Sequence, residues 1–217
     1  MNQTVPSCGD VKMQWRGLYA IADTGLIGSD LMDRVAQAIQ GGASVVQYRS
    51  KEPDPLCCSE EARALLALCR RHGVPLIIND DVALAEIVGA DGVHIGRDDV
   101  SLAEARAVLG PRALIGVSCY NSLEMALEAQ AAGADYVAFG RFFASLTKPN
   151  ATSVDLSLLR EVRKKISIPI IAIGGITPEN GGVLIEAGAD MLAVINGLFG
   201  HPNVTYAASC YTKLFQL

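Results

Sequence analysis

The alternation of two hydrophobic patterns is the feature that most restricts the fold of this chain. Short runs rich in Val, Ile and other apolar residues alternate with longer segments in which apolar residues recur at helical spacing. Eight runs are predicted as strands, at residues 17–23, 44–50, 75–80, 92–96, 114–119, 136–140, 169–175 and 191–197. Strands that alternate with helices in this way are typical of βα units and a parallel sheet.

A weak internal repeat favours a closed arrangement of these strands. Gly-Ala followed by Ser or Asp occurs at Gly42, Gly89, Gly133 and Gly188, and each copy ends a helix and opens strand two, four, six or eight. Eight parallel strands in which alternate strands behave alike predict a (β/α)₈ TIM barrel, because alternate strands fill the layers of its interior. A doubly wound sheet is the alternative. It would require neither eight units nor a periodic repeat.

The chain is predicted to form one domain. No linker rich in Pro, Ser or charge divides it, so we assign residues 1–16 to an N-terminal extension and residues 17–217 to the barrel. Among the predicted helices, Ser29 can cap the segment that runs to residue 40. Thr177 can cap a later helix that Pro178 enters at its first position.

Charge and cysteine content narrow the class of protein. Asp and Glu number 23 against 18 Lys and Arg, the formal net charge is -5, and like charges form no run, which argues against nucleic-acid binding. The first residues lack the apolar stretch of a signal peptide, and apolar runs stop well short of a membrane span. Six cysteines form no C-x-x-C pair, so we expect reduced thiols and a cytoplasmic protein.

Two glycines end the seventh predicted strand. Gly174 and Gly175 leave the backbone bare just before the predicted cap Thr177, and strand eight ends in a similar small turn at Ile195, Asn196 and Gly197. Helix N-termini bind anions, and the loops after strands seven and eight of such barrels often hold a phosphate. We therefore expect a substrate that carries phosphate.

Polar side chains follow strand two at alternate positions. Gln47, Arg49 and Lys51 should share one face of the strand, and cations that face the interior need anions to compensate them. A closed barrel has no edge strand to expose them. We interpret the two cations as ligands for a phosphate or carboxylate.

Carboxylates follow strands three and four. Asp80 comes after Asn79 at the end of strand three, and Asp98 and Asp99 come just after strand four. Carboxylates on adjacent strand ends suit Mg²⁺, which proteins hold with one or two carboxylates plus substrate phosphates. Asp99 is also a credible cap for the helix that follows.

The remaining candidates gain weight only together. Ser118 ends strand five, and Ser145, Thr147 and Lys148 lie in the long loop after strand six, where hydroxyls and a lysine can serve phosphate. His94 lies inside strand four, where a lone histidine is usually packed, and we assign it no role. No Ser-His-Asp order, metal-spaced Cys/His set or dinucleotide fingerprint occurs.

Taken in order, these motifs resemble the thiamine-phosphate synthase family. The resemblance runs from about residue 17 to residue 200 through QYRSK, IINDD, DGVHIGRDD, IGVSC, ADYVAFGRFF, TK and IAIGGITPEN. It implies a single-domain (β/α)₈ barrel that joins hydroxymethylpyrimidine diphosphate to thiazole phosphate with Mg²⁺. It also implies small-molecule partners, with no membrane or nucleic acid, and leaves a homo-oligomer open.

The resemblance carries roles onto individual residues. It implies that the pyrimidine diphosphate is held by Gln47, Tyr48, Arg49, Ser50, Lys51, Asn79, Ser118 and Lys148. Of these, Arg49, Lys51, Ser118 and Lys148 are expected to be catalytic. The implied Mg²⁺ ligands are Asp80 and Asp99. The implied thiazole-phosphate site consists of Ser145, Leu146, Thr147, Gly175, Ile195 and Asn196.

The sequence departs from the family pattern at a few positions. Tyr120 stands where many relatives have histidine, Arg97 where glutamine is frequent and Ser145 where threonine is common, and residues 141–143 replace a proline-containing turn. None of these changes removes a charged ligand. The alternatives are a thiazole tautomerase-like barrel, which would lack much of the diphosphate apparatus, and a non-catalytic protein that binds a phosphate metabolite.

Overall fold

The computed structural model describes residues 15–50, 54–143 and 154–216. Eight parallel strands close into a barrel in chain order, with β1 paired to both β2 and β8. The strands are β1 (Gly17–Asp23), β2 (Ala43–Arg49), β3 (Leu76–Asn79), β4 (Gly92–Ile95), β5 (Leu114–Tyr120), β6 (Tyr136–Gly140), β7 (Ile170–Ile173) and β8 (Met191–Val194). The predicted (β/α)₈ barrel is thus confirmed, and the doubly wound sheet is excluded.

Helices surround the barrel. They are α1 (Thr24–Ile27), α2 (Leu31–Gln40), α3 (Pro55–Arg71), α4 (Val82–Val88), α5 (Leu102–Leu109), α6 (Leu123–Ala131), α7 (Leu156–Lys165), α8 (Gly182–Glu186), α9 (Asn196–Phe199) and α10 (Val204–Lys213). Their apolar faces bury residues such as Val35, Leu65 and Leu159 completely against the outer faces of the strands. Each fully buried side chain of this kind contributes about 1.5–3 kcal/mol, so this outer layer is the main core.

Two predicted helix starts were wrong. Asp30, not Ser29, is the N-cap residue of α2, and Ser29 lies in a short 3₁₀ turn. No helix begins at Thr177, because the Asn180 side chain accepts a hydrogen bond from the Thr177 backbone N–H and donates to the Gly175 carbonyl. This closes a turn, and α8 starts only at Gly182.

The barrel interior is filled from alternate positions of the strands, as period-two geometry requires. A second apolar cluster occupies it, with Tyr19, Ile21, Val45, Ile77, Tyr136, Ala138, Ile171, Met191 and Ala193 buried. Gly116 on β5 makes room for Tyr136, because a Cβ atom built at position 116 would lie 1.9 Å from Cζ of that ring. An aromatic ring therefore crosses the barrel where β5 has no side chain.

The Gly-Ala-Asp repeat has a structural basis. The carboxylate that ends each of the last three copies accepts a hydrogen bond from a backbone N–H at the start of the preceding odd-numbered strand. The N···O distances are 2.8 Å from Leu76 to Asp91, 2.8 Å from Ile115 to Asp135 and 2.7 Å from Ile170 to Asp190. We call Asp91, Asp135 and Asp190 the acid clips. They tie the strands in pairs at their amino-terminal ends.

Two further expectations concern thiols and membranes. Five cysteines lie within the described ranges, and none of them forms a disulfide there: Cys57, Cys58, Cys69, Cys119 and Cys210. Within those same ranges, no helix combines the length and apolar character that a membrane crossing needs.

Candidate active site

A cavity of about 740 Å³ opens at the carboxyl ends of the strands. Its walls come from the ends of β1 to β8, and its lining includes Asp23, Arg49, Asn79, Ser118, Arg141 and Asn196. In barrels of this kind, residues at this end carry the chemistry. The cavity therefore gathers several of the sequence-predicted residues in one place.

The segment after β2 splits between the two faces of the strand. Gln47 and Arg49 line the cavity. Tyr48 is fully buried on the opposite face, where its hydroxyl donates to Glu61 of α3 at 2.7 Å. Ser50 is half-buried and accepts a hydrogen bond from Thr24. The structure thus brings Gln47 and Arg49 into the cavity and turns Tyr48 away from it, because neighbouring strand residues face opposite sides.

Arg49 already has an anionic partner. Its guanidinium forms an ion pair with Asp23 at the end of β1, and both side chains are largely shielded from solvent. Asp23 was not predicted from the sequence, although an acidic residue at the end of an apolar strand was a usable signal. The pair answers the expectation that a cation here needs compensation, and it holds the guanidinium at the cavity wall.

Two carboxyl groups adjoin at the ends of β3 and β4. Desolvation, then the charge and hydrogen bond of Asp99, raise the pKa of Asp80 to about 6. Asn79 donates a hydrogen bond to Asp80 at 2.6 Å, and the Gly96 backbone N–H donates to Asp99 at 2.7 Å. The next helix is capped by Ser101 rather than Asp99. We call Asp80 and Asp99 the acid pair.

The acid pair fits a divalent cation. Its two carboxylates come from adjacent strand ends, and the charge of Asp99 disfavours that of Asp80, which a hard cation with oxygen ligands would relieve. No cluster of three or more His, Cys, Asp or Glu able to hold a metal occurs among the residues that the structure describes. A cation at the acid pair would therefore take its other ligands from substrate or water.

A row of hydrogen bonds forms the floor of the cavity. Gln47 Nε2 donates to the Tyr19 hydroxyl at 3.0 Å, the hydroxyls of Tyr19 and Tyr136 lie 2.9 Å apart, and Tyr136 lies 3.2 Å from His94 Nδ1. His94 Nε2 lies 2.8 Å from Ser118 Oγ. We call these five residues the floor chain. From the sequence, His94 was assigned no role and neither tyrosine was singled out.

Burial controls protonation in the floor chain. It lowers the pKa of His94 to about 4, so the imidazole is neutral at pH 7. It raises the pKa values of the Tyr19 and Tyr136 hydroxyls well above their ordinary range. The floor chain therefore consists of neutral groups that exchange hydrogen bonds.

The ends of β7 and β8 present bare backbone. Gly175 has a φ of 64°, in the left-handed region that favours glycine. The backbone N–H groups of Gly175 and Asn196 donate to nothing within the described part of the chain. Ile195 and Asn196 line the cavity. The expected helix N-terminus at Thr177 is absent, so any anion here would meet turn amides instead.

Two departures from the family pattern contact each other. The Arg97 guanidinium lies 4.9 Å from the centroid of the Tyr120 ring, and Tyr120 lines the cavity. Tyr120 has a φ of 54°, a conformation that is uncommon for a residue other than glycine. Five predicted site residues lie outside the described ranges: Lys51, Ser145, Leu146, Thr147 and Lys148.

Comparisons with known proteins agree on one family. A family model described as thiamine monophosphate synthase matches residues 18–198. A thiamine-phosphate synthase from Nitrosococcus oceani is 54% identical over 201 residues, which is 92% of this chain and 93% of the relative. One from Thiobacillus denitrificans is 51% identical over 199 residues, with 92% and 94% covered. The solved structure of a thiamine phosphate pyrophosphorylase from Pyrococcus furiosus superposes with a TM-score of 0.84 at 32% identity, covering 94% of this chain and 97% of that one.

Proposed function

Because this chain belongs to the thiamine monophosphate synthase family, we propose that its cavity is where hydroxymethylpyrimidine diphosphate and thiazole phosphate are joined. The chain is an enzyme, a transferase of thiamine biosynthesis. The observation that supports the assignment of the cavity is the meeting of Gln47, Arg49, Asn79 and Ser118 in one space. The acid pair begins at the residue after Asn79. The products are thiamine phosphate and pyrophosphate.

The diphosphate is assigned to the side of the cavity that carries Arg49. A guanidinium binds phosphate oxygens with two parallel hydrogen bonds, and Asp23 holds this one at the wall. Asn79 and Ser118 supply neutral donors nearby. Lys51 and Lys148 are proposed to add positive charge, which rests on the family resemblance alone.

The acid pair is proposed to hold Mg²⁺. Asp80 and Asp99 offer two carboxylates, and the diphosphate would complete the oxygen ligands. When bound, Mg²⁺ would neutralise charge on the leaving diphosphate. The raised pKa of Asp80 supports this assignment, because burial and then the neighbouring charge of Asp99 disfavour its ionised form, which a bound cation would stabilise.

The thiazole phosphate is assigned to the ends of β7 and β8. The N–H groups of Gly175 and Asn196, which have no acceptor among the described residues, suit a phosphate, and Ile195 offers an apolar wall for a ring. Ser145, Leu146 and Thr147 are proposed to join them from the loop after β6. The two substrates would then face each other across the cavity.

The reaction needs little covalent chemistry from the protein. The bond between the pyrimidinylmethyl carbon and the diphosphate oxygen breaks, and the aminopyrimidine ring delocalises the positive charge on that carbon. The thiazole nitrogen then forms the new bond with its lone pair. Cationic and neutral donors that stabilise the departing charge, and walls that align two substrates, are what such a step requires. A cavity in which Arg49 and Ser118 can donate hydrogen bonds to an anionic leaving group fits this chemistry.

The two alternative functions, a thiazole tautomerase and a binding protein, would leave parts of the cavity without a role. A thiazole tautomerase would have no need of Arg49 and the acid pair together. A binding protein is disfavoured because the relatives of about half-identical sequence are named as synthases. A cytoplasmic location, expected from the sequence, stays a prediction.

Mass spectrometry of thiamine phosphate tests the proposal directly. The purified protein is mixed with both substrates and Mg²⁺, with parallel reactions lacking enzyme, lacking metal or containing EDTA. We expect product only in the complete reaction, and circular dichroism unchanged by EDTA, since barrel strands need no metal to form. No product from a folded protein that still binds thiazole phosphate would favour the tautomerase or a binding role.

A matched pair of variants tests the acid pair. Asp99→Ala should lower kcat about 100- to 1000-fold, the loss typical of a key electrostatic group. Asp98→Ala removes a carboxylate from the same loop, but Asp98 is solvent-exposed and outside the acid pair, so kcat should stay within about 3-fold. Equal effects of the two substitutions would contradict the assigned metal site.

A further inference from the structure

We propose that the floor chain runs in one direction, which holds His94 as the Nε2–H tautomer and makes the Ser118 hydroxyl a hydrogen-bond donor to the substrate. The inference deepens the proposed function and rests on it for the identity of the substrate, a pyrimidine diphosphate. Its first test does not depend on activity. His94, Tyr136 and Tyr19 would be positioning residues, because they act through Ser118.

The direction is set at Gln47. Its amide Nε2 can only donate, so the Tyr19 oxygen accepts this hydrogen bond. The hydroxyl hydrogen of Tyr19 then needs another acceptor. Among the described residues, the only other hydrogen-bond partner of that hydroxyl is Tyr136, at 2.9 Å. Tyr19 is buried, and a buried hydroxyl that leaves its hydrogen unpaired is costly, so Tyr19 donates to Tyr136.

The hydrogen-bond direction at Tyr19 also fixes the tautomer of His94. Tyr136 accepts from Tyr19, and its own hydrogen has His94 Nδ1 as acceptor at 3.2 Å. Nδ1 must therefore carry a lone pair, which in a neutral imidazole places the hydrogen on Nε2. Nε2 then donates to Ser118 Oγ at 2.8 Å. Each hydroxyl in the row accepts from one side and gives to the other.

Ser118 ends the row, and within the described ranges no acceptor takes its hydroxyl hydrogen. Its oxygen already accepts from His94, and the residue lines the cavity. The hydroxyl hydrogen is therefore available to an acceptor atom of the diphosphate substrate. In the opposite direction Ser118 would donate to His94 and offer only lone pairs, which an anionic substrate repels. A donor fixed in advance costs no reorganisation during the reaction.

Nitrogen NMR of the imidazoles tests the direction in the wild-type protein. The chain has three histidines, and the His72→Gln and His201→Gln variants identify the signals of the other two. Long-range proton–nitrogen correlations distinguish a protonated ring nitrogen from one with a lone pair. We expect His94 to have a proton on Nε2 and a lone pair on Nδ1 at pH 7. A proton on Nδ1 would overturn the inference while leaving the proposed function untouched.

Two variants that each delete one tyrosine hydroxyl distinguish the hydrogen-bond direction of the floor chain from a purely structural role in packing the barrel. Tyr136→Phe removes the only donor to His94 Nδ1 among the residues that the structure describes, so it should release the tautomer and lower kcat/KM for the diphosphate about 10-fold. Tyr19→Phe is the matched comparison, because it deletes another hydroxyl of the same row while Tyr136 can still donate to His94, so we expect the Nε2–H tautomer to persist. Equal losses in both variants with unchanged tautomers would show that the row only packs the barrel.

Gln47→Glu should reverse the row. A carboxylate at this position accepts from Tyr19, so Tyr136 would donate to Tyr19, His94 Nδ1–H to Tyr136, and Ser118 to His94 Nε2. The expected result is a His94 with its proton on Nδ1. In this background Ser118→Ala should cost about 2-fold or less in kcat/KM, against about 10-fold in the wild-type enzyme. An unchanged tautomer in Gln47→Glu would refute the control that we assign to Gln47.

Discussion

The close approach of Gly116 and Tyr136 gives the strongest stability prediction. A Cβ atom at position 116 would lie 1.9 Å from Cζ and 2.4 Å from the hydroxyl oxygen of Tyr136. Carbon atoms in contact need about 3.5–4.0 Å, so in Gly116→Ala the ring must retreat by roughly 1.5 Å. It would then leave its hydrogen bonds to Tyr19 and His94.

The expected cost combines two effects. Overpacking of a full core costs about 1–3 kcal/mol, and stranding buried hydroxyls costs about 1–3 kcal/mol more. Gly116→Ala should therefore lower the free energy of unfolding by about 2–6 kcal/mol, measured by urea titration with circular dichroism. Gly182→Ala is the matched control, because a Cβ atom at Gly182 in α8 meets nothing within 4 Å, and it should be neutral or stabilising by up to about 1 kcal/mol.

A double-mutant cycle shows whether the ring is the cause. In a Tyr136→Leu background the aromatic carbons are absent, so adding Gly116→Ala should cost less than about 1 kcal/mol. If the penalty of Gly116→Ala is as large in that background, the clash with Tyr136 is not its origin. A Gly116→Ala protein as stable as the wild type would refute the geometry itself.

Three further outcomes follow from the structure. The native pKa of His94, about 4, lies below the ordinary 6.5, so the free energy of unfolding falls as pH falls through this window. Between pH 7.5 and 5, the wild type should lose about 2 kcal/mol more of this free energy than His94→Gln, measured by urea titration without metal. The same pH dependence in both proteins would contradict this. Asp190→Ala and Asp91→Ala each leave a backbone N–H at the start of a β-strand without its acceptor, so each should lower the free energy of unfolding by about 1–3 kcal/mol. Neither should change kcat at 25 °C, because the acid clips lie at the end of the barrel opposite the cavity. A loss of kcat without a loss of stability would disprove this separation. Asp23→Asn releases Arg49 from its ion pair, so inorganic pyrophosphate should bind about 5-fold more tightly by calorimetry, and weaker binding would mean that Asp23 chiefly orients the guanidinium.

Local patterns were enough to predict the barrel, because the spacing of apolar residues within each segment distinguishes a strand from a helix. The strand bounds differ from prediction by at most three residues at either end. The error at Thr177 has a physical reason. The residues TPEN fit a helix start, but the Asn180 side chain closes a turn on Thr177 and Gly175 instead. A side chain that competes for backbone groups cannot be distinguished from a cap by spacing alone.

Candidate site residues could be singled out where charge or glycine marks a strand end. Arg49, Asp80 and Asp99 were singled out because ionised groups after buried strands need partners. Tyr19 and Tyr136 gave no such signal, because a tyrosine in a strand is ordinary core. Their importance appears only when β1 and β6, more than 100 residues apart in sequence, bring both hydroxyls within 2.9 Å.

The fluorescence of Trp15 should report on the barrel interior beneath the floor chain. Trp15 is the single tryptophan in the chain, and its ring centroid lies 4.9 Å from that of Tyr136. Its indole lies at the amino-terminal side of the barrel, whereas the cavity opens at the carboxyl side. Selectively excited Trp15 emission would therefore follow loss of the barrel interior during unfolding. Because ligands bind at the other end of the barrel, ligand binding could be followed on the same sample by a separate method, without a fluorescent label.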